Sequence, residues 1–183
     1  MRRLRPPDWS CWPAKWPACP SGSWQKGVRE RLYVLAELVA PTGVAGGDTR
    51  AAVGDLDLVA RWAEAFHDET QPEAPVQDWS DWARLRIDAG QVHLWRVDPE
   101  PVAMAAVSAP TAGVARVGPV YTAAAHRRRG HGSAVTAAAT ATAIAGGAED
   151  VVVYTDLANA TPNAIYQAIG YRPDHDAEER AFV

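Results

Sequence analysis

A chain of 183 residues, 48% hydrophobic and 22% charged, can bury one substantial core with room for an appended segment, and its composition excludes general disorder. Its formal charge of −4 hides an asymmetry, +4 over residues 1–45 and −8 over residues 46–183, and so acidic a body argues against a general nucleic-acid surface. The two cysteines, Cys11 and Cys19, suggest neither a disulfide scaffold nor a metal site, and the five histidines never pair at metal-ligand spacing.

The start MRRLRPP is basic, but no apolar stretch follows it as in a secretory signal. No later apolar run approaches the roughly 20 residues that span a bilayer. A cytoplasmic chain without a membrane partner is expected. Residues 1–30 scatter Trp9, Trp12, Trp16 and Trp24 among prolines and fit neither helical nor strand periodicity, so they read as an irregular extension. Arg31–Val39, RLYVLAELV, suits a strand or a short helix, and Pro41–Gly47 reads as a linker. The main domain is therefore expected over 46–183, with 1–45 as extension and bridging segment.

From Arg50 the pattern becomes regular. Arg50–Val53 is a strand candidate. Asp55 is a plausible N-cap for an amphipathic helix over 55–67, where Leu56, Val59, Ala60, Ala63 and Phe66 recur at helical spacing. A second helix spans Asp78–Asp88 and ends at Gly90. Strand-like runs follow at Gln91–Val97, Val102–Ser108 and Gly113–Tyr121, joined by short turn-rich links that suit antiparallel neighbours. A helix over Ser133–Ala145 leads into Val151–Thr155, an apolar run typical of a buried parallel strand. A last helix, Pro162–Ile169, stops at Gly170, and Tyr171 and Ala181–Val183 are candidates for closing strands. The fold class is mixed α/β: antiparallel strands first, one βαβ crossover later, and about four flanking helices.

Arg127-Arg128-Arg129-Gly130-His131-Gly132-Ser133 lies between a strand and a helix start, where unpaired amides and the helix dipole favour an anion. A Walker loop is excluded because no lysine occurs after Lys26. A dinucleotide loop, with Asp156 on a ribose, is weakened by Val135 where Gly or Ala is wanted and by Thr122–Arg129 intervening after the strand. The third pattern is R-x-x-G-x-G (Arg127, Gly130, Gly132), accompanied downstream by Asn159-Ala160-Thr161-Pro162-Asn163-Ala164-Ile165-Tyr166-Gln167-Ala168-Ile169-Gly170-Tyr171.

Together the two patches resemble the GNAT acyltransferase superfamily over about Arg50–Val183. The resemblance implies a coenzyme A thioester, usually acetyl-CoA, in a V-shaped gap between the strands ending near Tyr121 and Thr155. Val120, Tyr121 and Thr122 would then face the pantetheine and the thioester carbonyl. Arg127, Arg128, Arg129, Gly130, His131, Gly132 and Ser133 would surround the pyrophosphate, Asn159 would help hold the pantetheine arm with Asn163, four residues on, as an auxiliary contact, and Tyr166 would face the sulfur. The implied reaction is acetyl transfer to a small-molecule or peptide amine, without a metal. A CoA-binding module without catalysis is the alternative. The acceptor pocket would come from Asp55–Ala89. RLY-x-L-x-x-LV-x-P resembles the bridge of tandem GNAT units, which would make residues 1–45 what is left of a shortened first unit and would favour self-association as a homodimer.

Tyr166 suits the chemistry on its own terms: a phenol of pKa ~10 protonating a thiolate of pKa ~8.5 is uphill by only roughly 2 kcal/mol. The base is less defined, because Val114–Tyr121 holds no carboxylate. Asp156, Glu64, His67 and a water chain are the candidates. Within the loop His131 reads as a solvent-facing spacer, as do His126 and His93 elsewhere. Trp62, Trp79, Trp82 and Trp95 read as core packing rather than as an acceptor pocket.

Overall fold

The structure, a computed structural model, describes residues 24–72 and 76–182. Among them the elements run β1 (Trp24–Leu35), β2 (Gly47–Arg50), α1 (Leu56–Thr70), α2 (Trp79–Asp88), β3 (Val92–Val97), β4 (Glu100–Val107), β5 (Val114–Thr122), α3 (His131–Ala145), β6 (Asp150–Asp156), α4 (Ala160–Ala168) and β7 (Tyr171–Phe182). The strands form one sheet in the order β2-β3-β4-β5-β6-β1-β7. Contacts divide the chain into a large unit, Arg29–Ala177, and a small one made of Met1–Val28 and Glu178–Val183. The candidate site lies within the large unit. Trp9, Trp12, Trp16, Cys11 and Cys19 lie outside the described residues.

Strands β2 to β5 form an antiparallel meander, as their short links require. Helix α3 then carries the chain back, so that β6 lies parallel to β5. Both faces of the sheet are covered, which is why β4 is buried at six consecutive positions from Val102. Alternate residues serve the two sides. Val92, Leu94 and Met104 pack with Val59, Ala63 and Ala83 of α1 and α2, while Ala103 and Ala105 pack with Val135 and Ala139 of α3. Small residues suit α3, which is buried at Ala134, Val135, Thr136, Ala137, Ala139, Thr140 and Ala143. Its buried hydroxyls are satisfied within the helix: Thr136 donates to the Gly132 carbonyl and Thr140 to that of Thr136, each at 2.7 Å.

Two expectations need correction in place, and one left open is decided. The strand expected over Arg50–Val53 is instead Gly47–Arg50, and Val53–Asp55 is a 3-10 turn. The cause is Asp55, whose carboxylate accepts the Ala52 amide at 3.0 Å and meets the Arg96 guanidinium at 2.6 Å, turning the chain before a strand can continue. The closing segments expected at Tyr171 and Ala181–Val183 belong to one long strand, Tyr171–Phe182. Arg31–Val39, open between strand and helix, is strand as far as Leu35: Glu30–Val34 pairs antiparallel with Val152–Asp156.

After β1 the chain docks on the end of α4, where the amides of Ala36 and Val39 donate to the carbonyls of Gly170 and Ile169 at 3.1 and 3.0 Å. Gly170 has φ +101°, and the Glu37 carbonyl stands where its Cβ would be. Glycine is required there on both counts.

Candidate active site

Strands β5 and β6 pair only at their beginnings, Val114–Arg116 against Asp150–Val152. Beyond that they part, although β5 continues to Thr122 and β6 to Asp156. The local sequence explains this. Gly118 adopts φ +147°, Pro119 has no amide to donate, and the β4–β5 register shifts between Ala105 and Val107. Meanwhile β6 stays paired with β1 up to Asp156. Val120, Tyr121 and Thr122 therefore lie on the strand that diverges.

At the end of β5 the chain makes a 3-10 turn, Ala124–His126, and enters the basic loop. Arg128 and Gly130 are left-handed, with φ 62° and 82°, and α3 starts at His131 without a side-chain cap. A Cβ on Gly130 would stand 3.0 Å from Val44 Cγ2, and one on Gly132 3.2 Å from Thr122 Oγ1. The backbone of His131–Ser133 thus ends in open helix amides, a fitting cradle for a diphosphate.

The three arginines do different things. Arg127 donates from Nε to the Thr122 carbonyl at 2.9 Å and from its terminal nitrogen to both Glu69 oxygens at 2.7 and 2.9 Å. Its guanidinium also lies 5.5 Å from the Tyr121 ring centre. It ties the loop to α1 and to the end of β5. Arg128 and Arg129 are exposed, with no hydrogen bond or ion pair to a described residue.

The histidines are not spacers. His131 is 4% exposed and its Nδ1 has no hydrogen-bond partner among the described residues. Burial, His126 and Arg129 all hold its pKa below the ordinary value. His126 is partly buried, its Nε2 3.7 Å from Glu100 Oε1 and its ring 6.4 Å from that of His131. His93 is buried with its Nδ1 2.9 Å from Asp48, because both faces of β3 are covered where alternation alone would expose one.

On the α3 side of the sheet Tyr166 of α4 is 8% exposed, with ring centres 6.2 Å from Tyr33 of β1 and 6.1 Å from Tyr171. The three hydroxyls differ. That of Tyr33 donates to Asn163 Oδ1 at 2.7 Å. Tyr171 and Thr140 are 2.7 Å apart, and since the Thr140 proton already goes to the Thr136 carbonyl, the shared proton is that of Tyr171. The Tyr166 hydroxyl makes no hydrogen bond to a described residue. Burial, and then Tyr171, push its pKa far above the ordinary phenol value, with Arg116 opposing. Tyr171 is pushed up to about 12 by burial.

Asn163 is committed to structure: besides accepting from Tyr33, its amide donates to the carbonyls of Asp156 at 3.0 Å and Asn159 at 2.6 Å. Asn159 sits at the N-cap of α4 with its side chain exposed and with no hydrogen bond to a described residue. Of the candidate bases, Asp156 accepts the Ala158 amide at 2.8 Å in a tight turn at the end of β6. Glu64 and His67 belong to α1, on the opposite face of the sheet from Tyr166. His67 is buried against the Trp79 ring, 5.2 Å between centres.

Trp62, Trp79 and Trp82 pack on the α1–α2 core and Trp95 on the other. Trp79 also lines a cleft of about 450 Å³ beside α1 with Asp57, Arg61, Glu64 and Asp78. Among the described residues no group of three or more His, Cys, Asp or Glu could hold a metal ion, and no helix is long and apolar enough to cross a membrane.

Tyr33 and Thr140 were not singled out by sequence. Tyr33 sat in a recognised apolar run but without spacing to connect it to Tyr166, and Thr140 looked like any position of an alanine-rich helix.

Comparison with known proteins agrees with this geometry. The model for the acetyltransferase (GNAT) family matches residues 56–171. Curated proteins give no match. Among solved structures, a GCN5-related N-acetyltransferase from Kribbella flavida is 26% identical with a TM-score of 0.63, over 87% of this chain and 59% of that one. A GNAT-family protein from Novosphingobium aromaticivorans (23% identity, TM-score 0.64) is matched over 91% of this chain and 69% of its own. An acetyltransferase from Colwellia psychrerythraea (14%, TM-score 0.67) is matched over 86% and 56%. The chain thus spans less than two thirds of the Kribbella and Colwellia proteins. With a parted strand pair, a glycine loop opening a helix and a family match across both, this chain belongs to the GNAT family of acetyltransferases.

Proposed function

We propose that the protein transfers an acetyl group from acetyl-CoA to an amine, with Tyr166 as the general acid. Acetyl-CoA, when bound, supplies the activated acyl group as a thioester. The amides of His131, Gly132 and Ser133, with Arg128 and Arg129, hold its pyrophosphate. Backbone groups of Val120–Thr122 on the diverging strand and the Asn159 side chain orient the pantetheine arm. Arg127 and Asn163 contribute by fixing those two segments.

In the reaction a C–N bond forms and the C–S bond breaks, and the departing sulfur needs a proton. One observation carries the assignment: of the three clustered phenols, those of Tyr33 and Tyr171 are committed to Asn163 and Thr140, and only that of Tyr166 is uncommitted. Its raised pKa keeps it protonated across the neutral range. The transfer is then more uphill than for an ordinary phenol, but the same dry surroundings also raise the proton affinity of the thiolate, so the difference that matters changes less than either value. The ammonium of an acceptor with pKa ~10.4 must lose its proton first, a cost of roughly 4.6 kcal/mol at pH 7. The cleft beside α1, where Asp57, Glu64 and Asp78 outnumber Arg61, suits a cationic acceptor arriving from the far face.

Turnover is followed as free thiol from acetyl-CoA, with hydroxylamine as a simple amine. Tyr166→Phe is expected to lower kcat roughly 100-fold or more while CoA still binds. Unchanged turnover in that variant removes Tyr166 from its role. CoA binding without thiol release from the wild type would favour a binding module instead.

A further inference from the structure

We infer that Tyr33, on a strand ahead of the family-matched region, is a positioning residue for Tyr166; the inference rests on the acid role given to Tyr166. Its ring is fully buried and packs on the Tyr166 ring at 6.2 Å between centres. Its hydroxyl donates to Asn163 Oδ1 at 2.7 Å, and the Asn163 amide holds the carbonyls of Asp156 and Asn159. Gln167 adds a longer contact to the same hydroxyl at 3.4 Å and donates to the Asn163 carbonyl at 3.1 Å. One β1 side chain therefore ties the end of β6, the first turn of α4 and the helix position of Tyr166 together.

Two properties make this more than packing. First, Asn163 lies three residues before Tyr166, one turn along the same helix, so a bond that fixes Asn163 fixes the rotation of α4 about its axis and hence where the Tyr166 phenol points. Second, Asn163 is the acceptor that satisfies the Tyr33 proton, so the neighbouring phenol is neither donor nor acceptor to Tyr166. The acid keeps its proton free because its neighbour's is engaged elsewhere. The other neighbour, Tyr171, is arranged the same way through Thr140, whose helix begins in the glycine loop. Tyr33 itself lies within the β1–β6 pairing, opposite Val153, where the backbone holds it in place.

The test is a double-mutant cycle in the full chain, again with acetyl-CoA and hydroxylamine. Tyr33→Phe keeps the ring and removes the hydrogen bond. It is expected to lower kcat roughly tenfold, to leave KM for acetyl-CoA within about twofold, and to have no further effect on kcat in the Tyr166→Phe background. Asn163→Ala, which removes the acceptor, should reproduce the kcat loss. Asp174→Ala, which breaks an exposed pair with His175 on β7, should keep wild-type kcat. Wild-type kcat in Tyr33→Phe, while Tyr166→Phe is impaired, overturns the positioning role and leaves the acid assignment standing. Unimpaired Tyr166→Phe overturns the acid assignment, and this inference with it. A Tyr33→Phe loss that persists in the Tyr166→Phe background, or is matched by Asp174→Ala, means that Tyr33 serves only the fold.

Discussion

The basic run Arg127–Arg129 looks uniform in sequence, yet its members differ in what is left to bind a ligand. Arg127 has three charge-assisted or carbonyl bonds and a ring beneath it, all within the protein. Arg128 and Arg129 have open solvent in front of them, and side chains like these gain most from a phosphate. In the proposed site, Arg128→Ala or Arg129→Ala weakens CoA binding about tenfold at low ionic strength, and the difference shrinks as salt is added. Arg127→Ala acts elsewhere: it removes an exposed ion pair worth about 1 kcal/mol or less and leaves the salt dependence of binding unchanged. Calorimetric titration of CoA at two salt concentrations separates them. Arg127→Ala giving the larger and more salt-sensitive loss would contradict this division. The motif spacing was legible; which arginine faces outward depends on Glu69, fifty-eight positions earlier, and no local pattern contains that.

The loop and α3 act as one element, and its first turn carries a titratable ring that the sequence placed in solvent. His131 is buried where the helix amides already gather positive potential, and His126 and Arg129 add to it, partly offset by Glu100 beside His126. The ring is therefore less charged than an ordinary histidine at the same pH. An unfolded chain takes up this proton near pH 6.5, whereas the folded one resists until lower pH. Stability therefore declines as pH falls below about 6.5. An anion at the cradle reverses the balance, because it favours the charged ring. CoA binding should then take up protons near pH 6 and tighten as pH falls from 7.5 to 6, and His131→Asn should remove that part of the dependence. Proton uptake is measured by titration in buffers of different ionisation enthalpy. Equal uptake in wild type and variant would place the anion away from His131. The helix itself was legible from its alanine-rich run between glycines. Burial of its first residue was not, since it reflects how the turn after β5 seats that end against the protein.

At the scale of the whole molecule, the meander and crossover follow from strand-length apolar runs and short links, and these were readable because each obeys a local period. β1 was readable only as apolar, because nine residues such as RLYVLAELV satisfy a strand or a helix about equally. What decides is tertiary: β6 has β5 along one edge, and β1 supplies the antiparallel partner along the other over Glu30–Val34. Covering that edge satisfies backbone groups that would otherwise meet solvent or another chain. The strand is then part of the sheet's cooperative unit rather than an arm laid upon it. It buries Tyr33 completely, and the segment after it bonds to the end of α4. Amide hydrogen exchange can read this directly. Amides of Arg31–Val34 that bond to a neighbouring strand should open with the same free energy as those of Val151–Val153, and both should be lost together as denaturant is raised. Exchange of the β1 amides at far lower free energy, with β6 still protected, would show a detachable strand. In that case the tyrosine cluster around Tyr166 would open with it, and turnover would fall at denaturant concentrations where most of the sheet still stands.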